Sequence, residues 1–594
     1  RSRRAAPAVA ATERFLRVAR ATPPIIRMTM FSFGKTPREP LADAKSVERW
    51  LAAFPANDPL ALHGEILGEL GRLAERDARR SPAQLEAVFA LDTRSSELRA
   101  TLTAQYVEHA SRSSKIERQI WSALFDLTQA FLLAYQAFGR EAATRTSARW
   151  QELQPELVLR QIAHLGRDAK IRLYRYEQWI PAKWAELHTL FALALSQHVE
   201  RQPVTLDPAA GPTTIEQAYL RVLLLQLVHA GNTTVGHIEY LDDQLRQWCQ
   251  PLRLTIEPTP ASSTYYVDLG GREGLKRRGP APLEAAVLFL DTRPLHALLS
   301  QTIAVLEQKI RAHPTSERTP KRVEQLALLT KVAAQADPEF RPFARRGERV
   351  ATAGTVDAIV GFGNIAGYLH DEERTPLRAA ESGHSYGGTM DLAVFGRLRN
   401  EQERIVEQAR RRLAAFAPHG GPWELKDVSQ TGFRLMASML AATAVTLGSL
   451  VALRPHGQSV WTLGIVRRMK RLTSERAEIG LQLVASAVAG IDLVEQRKSQ
   501  ADDYSVDGVP TTINGRVFAG LFLSLRKSGS DATVHSLMLP AVEYQPSRKL
   551  KLQTPRSVTP IRLGRLLEQQ PDWVWTAVDA LEQGASLPSV ADVA

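Results

Sequence analysis

Residues 344–362, ARRGERVATAGTVDAIVGF, and residues 424–435, ELKDVSQTGFRL, decide how the second half of this chain is read. In the first stretch Arg345, Arg346 and Arg349 run directly into a β-branched segment that begins at Val350. In the second, Asp427, Ser429 and Gly432 form a D-x-S-x-x-G pattern. Closely spaced arginines at the mouth of a strand offer several planar forks, and such forks bind phosphate oxygens or base edges bidentately as lysine cannot. A short acid and a hydroxyl ahead of a glycine place an acceptor and a donor on a tight turn, where they can meet a base edge. Together these groups suit a ligand that carries both phosphates and guanines.

Working outward from these two stretches, short strand candidates follow one another at 355–362, 432–437, 449–453, 460–468 and 478–485. Several short strands with turns between them predict a small barrel. Between the two motifs the text is rich in Gly, Arg and Glu, with one helical stretch expected at 389–416. Beyond 490 the β pattern continues through 516–525, 536–544 and 549–552, and a closing helix is expected at about 560–583.

The ordered pair of motifs resembles the PilZ family, bacterial receptor domains for cyclic di-GMP, which carry R-x-x-x-R before the first barrel strand and [D/N]-x-S-x-x-G on a following one. Arg345 and Arg349 match the first motif; Asp427, Ser429 and Gly432 match the second. An overlapping pair, Arg341 and Arg345, fits the same spacing, so two arginine registers stand. The later segments LVALR, WTLGIVRRM and EIGLQLVA are also similar to the family. The resemblance implies a six-stranded antiparallel barrel over 335–490 whose arginine segment folds over a bound dinucleotide. It implies cyclic di-GMP as ligand, held by Arg345, Arg346, Arg349, Asp427, Ser429 and Gly432. The chain departs from the family in an insertion of about 60 residues between the motifs, at 363–420, which is tolerable because loop-closure entropy grows slowly with length.

The first half is of another kind. Leu62, Ile66, Leu70 and Leu73 recur at helical steps with Glu65, Glu69 and Arg72 between them, and similar stretches run through 98–140, 156–200 and 215–248. Prolines at 181, 203, 251 and 258 punctuate them. A strand-like island at 263–269 precedes another helix at 293–312. The fold class expected is α+β multidomain: an all-helical domain at 42–334, the barrel at 335–490, and a β-rich extension with a closing helix at 491–594. Residues 1–41 are read as a disordered basic tail, with Met28 or Met30 as the expected translation start.

Composition narrows the function. The excess of 75 Lys+Arg over 63 Asp+Glu, net +12, is spread along the chain, so a nucleic-acid role is not expected without a basic stripe. One cysteine, Cys249, excludes an intramolecular disulfide and cysteine-rich metal sites and fits a cytoplasmic setting. No metal or cofactor is expected. Gly383-His384-Ser385-Tyr386-Gly387 spells a nucleophile-elbow pattern, but no buried strand precedes it and no βα alternation surrounds it. Apolar stretches at 120–138 and 435–453 are diluted by polar residues, and no membrane span is expected. The expectation is a non-enzymatic regulatory receptor for cyclic di-GMP, acting through its helical half on a protein partner. The alternative is a scaffold whose barrel has lost the nucleotide.

Overall fold

The computed structural model describes residues 39–581, apart from 55–58, 76–78, 110–113, 146, 209–210, 229–232, 258–264, 279–286, 314–318, 340–348, 382–410, 418–421, 430, 443–444, 456–459, 474, 496–515, 527–532 and 554–557. The first half is helical: α1 Ala44–Leu51, α2 Pro59–Glu75, α3 Pro82–Arg94, α4 Ser96–His109, α5 Ser114–Ala142, α6 Ala148–Leu173, α7 Pro181–Ser196, α8 Ile215–Val228 and α9 Val235–Trp248. Local sequence starts these helices where it should. Asp43 accepts from the Ser46 N–H at 2.8 Å ahead of α1, Ser81 and Gln84 form a reciprocal capping box on α3, and Pro82 and Pro181 occupy first turns.

The stripe read from α2 is buried, with Ile66, Leu70 and Leu73 in one core that also takes Phe131, Tyr135 and Phe138 from α5. The apolar stretch 120–138 is therefore core helix. A small sheet is built into this half, β1 Leu254–Thr255, β2 Tyr265–Asp268, β3 Lys276–Arg277 and β4 Val287–Leu290, in the order β1-β4-β2-β3. The helices α10 Arg293–Ala312 and α11 Thr319–Ala336 complete it.

The second half contains two closed antiparallel barrels. The first is formed by β5 Val350–Val360, β6 Trp423–Ser429, β7 Gly432–Ser438, β8 Leu450–Pro455, β9 Thr462–Arg471 and β10 Arg476–Ala485, joined in the order β10-β7-β6-β5-β8-β9. Between β5 and β6 runs α12 Phe362–Glu381; the helix expected at 389–416 lies mostly outside the described residues, with 411–416 helical. The stretch 435–453 is β7, the single turn α13 Met439–Ala442, and β8. No helix among the described residues is long and apolar enough to cross a membrane.

The second barrel comprises β11 Val488–Glu495, β12 Val517–Arg526, β13 Thr533–Pro540, β14 Lys549–Gln553, β15 Val558–Gln569 and β16 Trp573–Ala580. The closing helix expected at 560–583 is thus corrected to a hairpin of β15 and β16. Ile561 and Leu563 point into the barrel at a spacing of two, and Trp573-Val574-Trp575-Thr576 is an aromatic and β-branched run suited to a pleated surface.

Candidate ligand-binding site

Arg345 and Arg346 lie outside the described residues; Arg349, Asp427, Ser429 and Gly432 are brought together at one end of the first barrel. Arg349 stands one residue before β5, whose Val350 and Ala351 pair with Val428 and Asp427. Asp427 is 6% exposed and faces two cations. Its Oδ2 accepts from Arg434 Nε at 2.6 Å, and its Oδ1 is 3.7 Å from an Arg349 terminal nitrogen.

The motif's turn is tight. Ser429 pairs with Gly432, and the Ser429 hydroxyl donates to the Gly432 carbonyl at 3.2 Å. Gly432 is required by a close approach of two strands: a Cβ there would stand 2.0 Å from the Leu481 carbonyl oxygen of β10. The glycine therefore serves barrel closure as well as the turn.

Sequence reasoning missed the rest of this face. Leu435 lies in the barrel core, so its neighbour Arg434 projects outward by strand alternation. Registers carry the row across the sheet from Asp427 to Arg434, then Gly480, then Arg468. Arg434 also stands 3.8 Å from Glu478, and Arg468 is exposed. The signal was available, since Arg434 follows Gly432 by two positions in the quoted stretch, but only the strand register shows that β9 supplies the next cation. The outcome is an outward acid bracketed by Arg349 and Arg434, with a further arginine beyond a glycine.

The same strand has two other attachments. Arg467 forks onto Glu568 of β15 at 2.7 and 2.5 Å, and Arg471 donates to Glu177, in the turn after α6, at 2.8 Å. Cys249 is buried, which pushes its thiol up to about 12, and no group of His, Cys, Asp and Glu among the described residues could hold a metal ion. Ser385 lies outside the described residues.

Comparison with known proteins bears on the helical half. Residues 45–260 match the family model described as the N-terminal domain of the cyclic-di-GMP receptor FimW. The chain is also 23% identical over 360 residues to the cyclic-di-GMP receptor FimW of Pseudomonas aeruginosa, a match covering 54% of this chain and 57% of that protein. That share of the chain exceeds the helical match, so the likeness runs on beyond residue 260. The chain thus spans somewhat over half the length of this curated relative.

Proposed function

We propose that this chain is a non-enzymatic cyclic di-GMP receptor acting in the cytoplasm, with its first barrel as a PilZ-like nucleotide-binding domain. The observation that carries this reading is the convergence of Arg349, Asp427 and Arg434 on one outer face, at a turn closed by Ser429 and Gly432. The likeness to a receptor named for that ligand supports it from a separate direction.

The chemistry fits the ligand. A guanine offers O6 and N7 acceptors on one edge, which an arginine fork meets bidentately, and N–H donors on another, which a carboxylate accepts. Asp427 and Arg434 stand side by side and offer both. Arg349 is 55% exposed and stands 3.7 Å from its acid, beyond hydrogen-bond reach, while Arg434 keeps Asp427 paired at 2.6 Å, so a phosphate can draw Arg349 away. Arg345 and Arg346 would add forks to the phosphates.

The helical half would then be the effector, contacting a protein partner. Strand β9 carries Arg468 on the ligand face and Arg471 on Glu177, so one element adjoins both the ligand and the helices. A ligand that favours one setting of this strand shifts the population of the helical half with no covalent step.

Calorimetric titration with cyclic di-GMP tests the reading, with Arg349→Ala and Asp427→Ala proteins alongside. Micromolar or tighter binding by the wild type, weakened at least tenfold in each variant, is expected. A folded wild-type protein that binds nothing would overturn it.

A further inference from the structure

The two barrels share one topology. Advancing each strand of the first barrel by six positions in the strand order, β5 to β11 and so on to β10 and β16, reproduces every pairing of the second: β11 with β12, β12 with β13, β13 with β16, β16 with β15, β15 with β14 and β14 with β11. The finer devices repeat as well. A single helical turn follows the third strand in both, Met439–Ala442 in one and Ala541–Glu543 in the other. Register shifts fall between the fifth and sixth strands in both.

The barrels do not, however, meet through equivalent faces. The first turns the outer side of β5, β8 and β9 to the contact, through Ile359, Leu450, Ala452 and Leu463. The second presents the outer side of β12, β13 and β16, through Leu521, Leu523, Met538 and Trp573. That side is the topological counterpart of β6, β7 and β10, which in the first barrel carry Asp427, Arg434 and Gly480. Where the first barrel carries a charged pair with Arg434 exposed, the second buries apolar side chains.

Helix α12 is wedged into the same contact. Its Ile365 and Leu369 join the shared core, His370 lies 3.1 Å from Asp492 of β11, and Gly490 lets the helix backbone approach: a Cβ there would stand 2.9 Å from the His370 nitrogen. The Trp573 indole donates to the Gly448 carbonyl of the first barrel at 3.2 Å.

We infer that the C-terminal barrel is a second copy of the receptor barrel whose ligand face has become an intramolecular interface, seating α12 and the first barrel, so that the chain carries one nucleotide face. The count of one nucleotide face rests on the reading proposed above; the conversion of the face into an interface does not. A heterologous contact of this kind draws in the Val484–Ala485 end of β10 but leaves Arg434 of β7 exposed on the first barrel, while consuming the counterpart face in the second.

Hydrogen exchange on the full chain, comparing wild type with Leu521→Gln and Met538→Gln, tests the interface without any ligand. Amides of α12 and β8 should exchange at least tenfold faster, while those pairing β6 with β7 keep their protection. Retained protection of β14 and β15 identifies a barrel that is still folded, and the milder Leu521→Ala replaces any variant that loses it. Unchanged protection of α12 in folded variants would overturn the interface. In a separate titration, Asp427→Ala should leave only the weakened site, and a second site that keeps wild-type affinity would overturn the single-face count. A wild type that binds nothing defeats the proposed ligand and the count together, and leaves the exchange result to decide the interface.

Discussion

Arg471, the last residue of β9, donates its guanidinium to Glu177 at 2.8 Å, so the first barrel is tied to the helical half through an ion pair that is three-quarters buried or more on both sides. The contact is reinforced by the Arg471 backbone N–H, which donates to the Tyr176 carbonyl at 2.9 Å. Tyr176 adopts a left-handed backbone, φ 58°, and packs against the barrel core. A non-glycine residue in that region stores of order 1 kcal/mol or more, held here by the contacts on either side.

Glu177→Gln should therefore cost about 1 kcal/mol, because Arg471 and Arg172 both lose a charged acceptor while a polar group stays in place. Urea unfolding measures this. If β9 links ligand face to helices, cyclic di-GMP affinity should also change, by twofold or more, since coupling is reciprocal. An unchanged affinity beside a lowered stability would reduce the contact to docking alone.

The core of the helical half makes its stability depend on pH. Asp92 is buried and meets Arg99 at 2.8 Å, Arg160 at 2.9 Å, His164 at 3.1 Å and the Tyr135 hydroxyl at 3.0 Å. Burial opposes its ionisation, but His164 and the two arginines outweigh it and hold the carboxyl well below the usual range. For His164 burial dominates over the pull of Asp92 and brings the imidazole down to about 4. The unfolded chain takes up this proton below about pH 6.5 while the folded protein does not until about 4, so stability should fall as pH drops through that window. The steepest slope from this residue is about 1.4 kcal/mol per pH unit. His164→Gln should flatten urea midpoints between pH 6.5 and 4; a slope that persists would assign the effect elsewhere. Below that window the loss of Asp92 ionisation continues the decline in both proteins.

The first barrel was legible because its signals agree. The arginine run marks the strand entry, Gly432 marks the turn, and β10 alternates over Arg476–Gln482 as a one-sided sheet should. The second barrel blurs that alternation. Leu521, Phe522 and Leu523 are all buried, because one side faces the barrel interior and the other faces its neighbour. A strand buried on both faces reads as a continuous apolar run, and periodicity alone cannot separate it from a helix. Helix α12 was hidden for another reason: Gly363 and Gly367 weaken its local propensity, and packing of Ile365, Ala366 and Leu369 between the barrels supplies what propensity lacks. The outward arginines of β7 and β9 were visible as residues, but their juxtaposition is a property of register across three strands.

Gly432→Ala separates the structural from the ligand role of the motif. Its Cβ would collide with the backbone of Leu481, which has no flexible end to yield, so β7 and β10 must part. The expected destabilisation is about 1–3 kcal/mol, as for overpacking in a core. Faster exchange of the Leu483 amide, which donates to Thr431 at 2.9 Å, should accompany it. Wild-type stability in the alanine protein would show that the two strands accommodate the methyl group after all.

Arg468→Glu tests the part of the proposed ligand face that the motifs do not include. Arg468 is exposed on β9, in register with Gly480 and, one strand further, with Arg434. Substitution at an exposed strand position without a packing role should change stability by no more than about 0.5 kcal/mol. Reversing its charge beside an anionic ligand should nevertheless weaken cyclic di-GMP binding at least tenfold, through repulsion that added salt partly screens. The affinity gap between variant and wild type should therefore narrow as sodium chloride is raised from 50 to about 500 mM, where the Debye length falls to about 4 Å. A gap that stays constant across that range would mean that Arg468 acts by contact geometry, and equal affinities throughout would remove it from the ligand face.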